Sequence, residues 1–215
     1  MILDNETHSF KVHEWIEKYT EAGDLSLVTG YFTVGALAYL ARTTNDKVNS
    51  YKIVLGDIVS TGDEKERALD LLNENIGVEA ALKLTRLARE AMEFLELPKV
   101  ELKTLEPNFC HAKVFLQRVE NNDPQKNYYI SGSSNLTEAG MGLKPTSNVE
   151  LNLAAFGADS QYDALAQWFE KLWQRPQAHA EKTIVDEKGV KHKVPFKQYL
   201  IDEIKKIFRE YTPHD

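Results

Sequence analysis

Three short strand-like segments between residues 110 and 155 constrain the fold of this chain more than any other feature. Side chains of a strand point alternately to the two faces of a sheet, so a period of two predicts which residues lie together. In the first segment this period gives one apolar face, made of Cys110, Ala112, Val114 and Leu116. It therefore places His111 and Lys113 side by side on the opposite face.

A polar loop rich in Asn, Asp and Pro follows the first segment, and residues 128–131 then predict an antiparallel return strand. That strand leads into a Gly-Ser-Ser-Asn turn at residues 132–135. In the third segment the period predicts a buried face, made of Val149, Leu151, Leu153 and Ala155. Glu150 and Asn152 are expected to project together from the other face. An imidazole, an ammonium, hydroxyls, amides and a carboxylate are thus expected to converge.

The order of these residues resembles the signature of the phospholipase D superfamily, which is His-x-Lys, then Gly-Ser-x-Asn, then a downstream acidic residue. The resemblance covers roughly residues 25–156 and is closest to short nucleases with a single motif, including the catalytic domains of some restriction endonucleases. Either motif alone is common, whereas their conjunction on compatible strands is specific. One position departs from the signature, because the usual Asp, five residues after the Lys, is Arg118 here.

The resemblance implies a role for each matching residue. His111, Lys113 and Glu150 would be catalytic: His111 would form a phosphohistidine, and Glu150 would orient the imidazole in place of the missing Asp. Ser133 and Asn135 would hold phosphate oxygens together with Lys113. Asn152, which the strand pattern places beside Glu150, is expected to bind phosphate as well. No metal and no cofactor are implied.

Superfamily enzymes use two copies of the motif, one histidine attacking phosphorus and the other donating a proton. This chain carries one copy, so the resemblance implies a homodimer whose two motifs meet at the two-fold axis. The expected function is a metal-independent nuclease or phosphodiesterase that acts on nucleic acid, DNA rather than RNA.

Three other interpretations stay open. An inactive nucleic-acid-binding module of a larger helicase or restriction system is supported by Arg118 and by the formal net charge of -7. A phospholipid phosphodiesterase is disfavoured, since phospholipid-synthesising relatives typically carry two motifs. The motif match could also be accidental, with His111 a core histidine of a generic α/β domain.

The acidic balance argues against a broad nucleic-acid surface, which normally needs an excess of cations. A local basic patch could form around the motifs from Lys113, Arg118, Lys126 and Lys144, although ordinary solvated loop cations explain all of them except Lys113 equally well.

The first hundred residues read as strand, helix and strand, which predicts parallel pairing through a right-handed crossover. A strand at residues 100–105 is expected beside the strand of His111, and a helix is expected to begin at Thr61. The predicted fold class is therefore α/β (an α+β sandwich), with a mixed central sheet flanked by helices on both faces, as in the phospholipase D superfamily.

The predicted domain covers residues 1–175. Residues 176–215 are interpreted as a polar linker, or a small hairpin around the Asp-Glu-Lys-Gly turn, followed by an amphipathic helix that packs on the domain or on a partner. No apolar run is long enough to span a bilayer and no signal peptide is recognised, so a cytoplasmic protein without membrane contact is expected. The chain has no phosphate loop of its own, and its relatives suggest a helicase-type ATPase module within a longer polypeptide.

Overall fold

The computed structural model describes residues 1–4, 6, 10–56, 78–107, 110–143 and 149–211, without the side chains of residues 78–84 and 207–211. The predicted helix start at Thr61 and the cation Lys144 lie outside the described residues.

A mixed sheet of eight strands forms the centre of the described structure. Its strands are β1 (Ile2–Leu3), β2 (Gly23–Thr29), β3 (Ser50–Leu55), β4 (Val100–Leu105), β5 (Val114–Val119), β6 (Tyr128–Gly132), β7 (Asn152–Phe156) and β8 (Ala178–His179), in the spatial order β1-β7-β6-β5-β2-β3-β4-β8. β2, β3 and β4 are parallel neighbours, and the remaining pairs are antiparallel. The predicted mixed sheet and its parallel crossover are confirmed. The predicted place of β4 is wrong, because β5 inserts between β6 and β2 while β4 lies on the far side of β3.

Helices cover both faces of this sheet, as the sequence predicts. They are α1 (Val12–Tyr19), α2 (Val34–Thr44), α3 (Val78–Glu96), α4 (Ser160–Trp173) and α5 (Phe196–Tyr211). α1, α2, α3 and α5 contribute to one large apolar core, whereas α4 is the one described helix that packs over a smaller core on the opposite face. None of the described helices is both long and apolar enough to cross a membrane.

The alternation of β-strand residues explains how one strand serves both cores. Phe115 of β5 lies in the large core, and its neighbours Val114 and Leu116 lie in the small one. The same division separates Ile130 from Tyr129 on β6. Each strand in the middle of the sheet is therefore apolar on both faces, as expected for a sheet that is covered on both sides.

The segment after residue 175 is built into the same body. β8 pairs with β4, and β9 (Glu181–Val185) and β10 (Lys191–Pro195) form a hairpin, which is one of the two alternatives that the sequence leaves open for this segment. α5 packs into the large core through four buried apolar residues, Phe196, Leu200, Ile201 and Ile204.

The predicted burial of the third motif segment is wrong. Val149, Leu151 and Leu153 are 79%, 58% and 56% exposed, whereas Asn152 and Ala154 are each 1% exposed. The alternation itself holds, but the two faces are exchanged. Ala155, the fourth residue of the predicted face, is partly buried against the smaller core under α4, whereas Leu153 in the same strand stays open to solvent.

Candidate active site

One open pocket of about 860 Å³ lies at the end of the sheet where β5 begins and β6 ends. Five of the six residues singled out from the sequence line it: His111, Lys113, Ser133, Asn135 and Glu150. They come from three separate segments of the chain, brought together because β5, β6 and β7 are consecutive neighbours in the sheet.

His111 and Lys113 lie in the irregular segment that precedes β5, which begins only at Val114. The predicted strand is therefore shorter at this end, although Cys110 and Ala112 do pack into the small core. Because these two residues are anchored on the core side, His111 between them is held on the exposed side.

Lys113 and His111 are in direct contact. The Lys113 ammonium donates to the His111 carbonyl at 2.6 Å, and its Nζ lies 3.2 Å from Nδ1 and 3.3 Å from Nε2 of the ring. An ammonium can only donate, so a ring nitrogen that accepts from it must carry a lone pair. Lys113 is 9% exposed, and this burial lowers its pKa, while the charges of Cys110 and Glu150 act in the opposite direction.

The turn after β6 is held by close backbone contacts. Gly132 pairs with Asn152 of β7, and a Cβ at Gly132 would collide with the Leu151 carbonyl, so glycine is required for this approach. Asn135 Oδ1 then accepts from the backbone N–H groups of residues 30 and 31 at 3.1 and 3.2 Å. Two backbone donors around one atom identify it as the amide oxygen. The donor end of the amide is thus the one left for the pocket.

Glu150 reaches the pocket from the segment that precedes β7, where it meets Ser133. The Ser133 hydroxyl donates to Glu150 Oε2 and accepts from the backbone N–H of Leu151 at 3.0 Å. These contacts join the turn of residues 132–135 to the third segment. The role of Glu150 as partner of the His111 ring stays a prediction.

Asn152 occupies a different position from the one predicted. Its side chain is buried and does not line the pocket. Oδ1 accepts from the Ser134 N–H at 3.1 Å, and Nδ2 donates to Ser134 Oγ at 2.8 Å. Because both ends of the amide are engaged with Ser134, Asn152 supports the turn from behind. The exchanged faces of β7 are the reason for this difference.

The predicted basic patch is not assembled around the pocket by the described residues. Arg118 lies four residues beyond Val114, which is about 13 Å along the strand. Lys126 is in the β5–β6 loop at that same far end and pairs with Glu21 at 3.3 Å. Of the predicted cations, Lys113 lines the pocket. Arg118 at the usual Asp position therefore leaves the charges of the pocket itself unaltered.

Sequence reasoning missed two contributors to the site. Leu165 and Trp168 of α4 form one wall of the pocket, and Trp168 lies off the buried stripe of that helix, which was the available signal. Thr29, buried at the end of β2, donates to the Tyr31 carbonyl at 2.6 Å and accepts from the Leu136 N–H at 2.9 Å. Nothing in the local sequence of β2 indicates this long-range contact.

Comparisons with known proteins identify solved structures of similar fold. Nuc from Salmonella typhimurium, a phospholipase D family member, matches with a TM-score of 0.50 at 15% identity, over 83% of this chain and 95% of Nuc. NucT from Helicobacter pylori matches with a TM-score of 0.46 at 10% identity, over 78% of this chain and 86% of NucT. Phosphatidylserine synthase from Haemophilus influenzae matches with a TM-score of 0.49 at 14% identity; the match covers 98% of this chain but only 44% of the synthase.

No protein-family model and no curated protein matches the sequence. At 15% identity the likeness to Nuc is a likeness of fold.

Proposed function

We propose that this chain, whose fold is that of the phospholipase D superfamily, is a metal-independent phosphodiesterase that cleaves nucleic acid through a covalent phosphohistidine. The observation that carries the proposal is the convergence of His111, Lys113, Ser133 and Asn135 on one open pocket. These groups supply a nucleophile, a positive charge and hydrogen-bond donors, which are the components that phosphoryl transfer requires.

The first chemical step uses the contact between His111 and Lys113. A ring nitrogen of His111 that carries a lone pair attacks phosphorus, an N–P bond forms, and the bond from phosphorus to the leaving oxygen breaks. Negative charge develops on the non-bridging oxygens. The Lys113 ammonium, already within 3.3 Å of both ring nitrogens, lies next to the reacting atom and stabilises that charge. The Asn135 amide donates to these oxygens, and the Ser133 hydroxyl joins it when its hydrogen turns from Glu150 to the phosphate.

The second requirement is a proton for the leaving oxygen, and one imidazole cannot attack and donate at once. In the proposed homodimer the partner's His111 donates this proton. A water molecule then attacks the phosphohistidine, the partner's His111 takes a proton from that water, and the N–P bond breaks to release the phosphate end of the product. Both imidazoles return to their starting states, so the cycle is balanced without a metal or a cofactor.

An exposed apolar strip beside the pocket supports the dimer. We define the strip as Ile2, Val149, Leu151 and Leu153, all more than half exposed. Leu153 pairs with Ile2 on one side and with Ser131, a pocket residue, on the other, while Val149 itself lines the pocket. A contiguous apolar surface of this kind marks an interaction site. A two-fold contact through the strip would bring two pockets close together.

A nucleic-acid-binding module without turnover is the second candidate. The net charge of -7 is the observation that favours it, since it is unusual for a chain that acts on polyanions. The position of Arg118 no longer adds to it, because that residue lies at the far end of β5.

We further propose that DNA is the substrate, and that in a longer polypeptide the domain would work beside a helicase-type ATPase.

The test is cleavage of 5′-labelled DNA and RNA oligonucleotides in EDTA by the wild type, by His111→Ala and by a matched control, His192→Ala. His192 is an exposed histidine of the β9–β10 hairpin that pairs with Asp186 at 2.7 Å, outside the pocket. Cleavage is expected in the wild type and the control, and is lost in His111→Ala.

A covalent adduct of the wild type with an oligonucleotide fragment, stable to alkali and lost in acid, should be trapped after quenching when strands labelled at the 5′ end and at the 3′ end are each tested. Equal cleavage by His111→Ala would contradict the proposal. Oligonucleotide binding without any cleavage by the wild type would favour the binding module.

A further inference from the structure

The aromatic wall of the pocket has no part in the phosphate chemistry described above. Trp168 and Leu165 of α4 line the same pocket as the polar residues from the β5, β6 and β7 segments. Both are half-buried and pack against the small core, so the helix fixes their position. The pocket thus offers polar groups that suit a phosphate and an aromatic side chain that suits a flat apolar group.

Trp168 differs from the other tryptophans of the chain. Trp15 is 1% exposed in the large core, and Trp173, at the C-terminal end of α4, is 7% exposed. The ring of Trp173 is occupied by Phe169, stacked at 6.0 Å, and by the ammonium of Lys103 at 4.6 Å. The indole of Trp168 instead contributes to the surface of an open pocket. A ligand in the pocket could therefore contact the side chain of Trp168.

The charge distribution indicates how a nucleic acid would be held here. Duplex binders neutralise many phosphates at once, and their affinity depends on that number. Among the described residues the predicted patch does not form, because Arg118 and Lys126 lie at the far end of the sheet. Stacking on aromatic rings is the alternative source of affinity, and it requires a base whose face is free.

We propose that Trp168 is a base-stacking residue, and that the substrate is a single-stranded or locally unpaired nucleic acid whose base next to the scissile phosphate stacks on the indole. This inference rests on the proposed function, since it names the substrate class for the same pocket. Duplex substrates are disfavoured because their bases are already stacked on one another. Leu165 completes the apolar wall beside the indole.

The test compares a single-stranded oligonucleotide with an abasic strand of the same length, built of tetrahydrofuran sugar phosphates. Both substrates have the same phosphodiester bonds and the same charge, and they differ only in the bases. Two variants distinguish aromatic stacking from general apolar packing. Trp168→Phe keeps an aromatic face, and Trp168→Leu keeps an apolar side chain without an aromatic face. Thermal unfolding of each variant controls for folding.

The measured quantity is the ratio of kcat/KM on the base-containing strand to kcat/KM on the abasic strand. Loss of one stacked base should lower this ratio in Trp168→Leu by roughly 5-fold to 150-fold, and Trp168→Phe should restore most of it. The wild type should also cleave the single strand faster than the corresponding duplex. An equal loss on both substrates, no loss on either, or a preference for the duplex would overturn the inference.

A binding measurement keeps the inference testable if hydrolysis itself fails. Tryptophan fluorescence of the wild type should be quenched by the base-containing strand and not by the abasic strand, and the base-dependent quenching should disappear in Trp168→Leu. That result without any cleavage would reject the proposed hydrolysis and retain the stacking. Quenching that is identical in Trp168→Leu would overturn the stacking. If the protein hydrolysed phosphatidylglycerol vesicles but neither cleaved nor bound either oligonucleotide, both the proposed function and the stacking inference would be rejected.

Discussion

The pocket is made of two regions whose side chains are used in different ways. Its rim, which we define as His111, Ser133 and Glu150, is open to solvent or half-buried and lines the cavity. Its bracket, which we define as Thr29, Ser134 and Asn152, is buried, and its hydrogen bonds run between elements of the protein. In the proposed function the rim residues contact the substrate, and the bracket residues hold the rim residues in position. Changes in the two regions should therefore have different consequences for rate and for stability.

Lys113 and Asn135 connect the two regions. Asn135 binds the end of β2 through its oxygen and still lines the pocket. Lys113 is buried, yet its ammonium reaches the ring of His111. A pocket built in this way can orient charged groups without depending on mobile surface side chains. Preorganised donors of this type are the largest single contribution to catalysis in many enzymes.

The largest expected effect is that of His111→Ala, because it removes the proposed nucleophile. Hydrolysis should fall below detection while the free energy of unfolding changes by less than about 0.5 kcal/mol, the usual range for an exposed site. Rates and chemical denaturation measured on the same preparation check this. A loss of stability in step with the loss of activity would instead make His111 a structural residue and remove the distinction between rim and bracket.

The next largest effect is expected from dissociating the proposed dimer, which would separate the pockets of its two protomers. Leu153→Glu places a charge in the exposed apolar strip, and it should convert the dimer expected in sedimentation to a 24.5 kDa species and lose most of the activity. Val185→Glu is the matched control, since Val185 is an exposed apolar residue of the distal hairpin. A wild type that sediments only as a monomer at micromolar concentration, yet is active, would contradict the two-histidine mechanism.

Lys113→Ala should lower kcat/KM by roughly two to three orders of magnitude, the scale for removing one preorganised donor at a developing charge. Asn135→Ala should have a similar effect on the rate, but it should also lose stability because the Asn135 amide oxygen accepts from two backbone N–H groups. Steady-state kinetics combined with thermal unfolding separates the two. If both variants were equally stable, Asn135 would not belong to the structural support of the pocket.

Asn152→Ala probes the bracket alone. It leaves the buried N–H and hydroxyl of Ser134 without their partner, which should cost roughly 1–3 kcal/mol of unfolding free energy. Activity should fall less than in Lys113→Ala, since no pocket group is removed. Asn121→Ala in the exposed β5–β6 loop is the control for denaturation experiments. Unaltered stability in Asn152→Ala would show that the turn holds its position without this amide.

The smallest effect is a displacement of the alkaline limb of the rate profile. Burial lowers the pKa of Lys113, so its ammonium should lose its proton, and the rate should decline, at a pH below 10.5. The pH dependence of kcat/KM reports the ionisation of the free enzyme, so this limb should appear in the pH profile of kcat/KM. Lys113→Arg keeps its charge and should move the limb to higher pH, whereas Lys126→Arg, which changes a cation at the far end of the sheet, should not. A limb that stays in place in Lys113→Arg would assign it to another group.

The sequence predicts the fold class well, because periodicity and order are local properties that the sheet preserves. The strand–helix–strand order led to the parallel pairing of β2 and β3, and the turn-rich loop before Tyr128 led to the β5–β6 hairpin. The position of β4 was not predictable in this way. Strand order beyond immediate neighbours depends on how distant segments pack, and the sequence of β4 does not say which edge it joins.

The candidate site was predictable to the extent that its chemistry lies in short motifs. His111 and Lys113, the Gly-Ser-Ser-Asn turn and Glu150 were selected from sequence, and the structure brings them to one pocket. Arg118 and Lys126 were grouped with them because they are near in sequence, yet an extended strand carries its residues apart by about 3.3 Å each. The position of Trp168 off the apolar stripe of α4 does not predict a contact with the motif segments, because the helix is distant from them in sequence.

The chemical groups, their order and the two-residue alternation along β7 follow from the sequence. The choice of which residues on each face of β7 are covered is made by tertiary packing, because alternation distinguishes two faces but burial depends on the elements that pack over them. That choice exposes Leu153, turns Asn152 inward to Ser134 and leaves Glu150 at the pocket, so the predicted pair of Glu150 and Asn152 is separated. Tertiary packing also brings Trp168 of α4 to the pocket that the motif residues line.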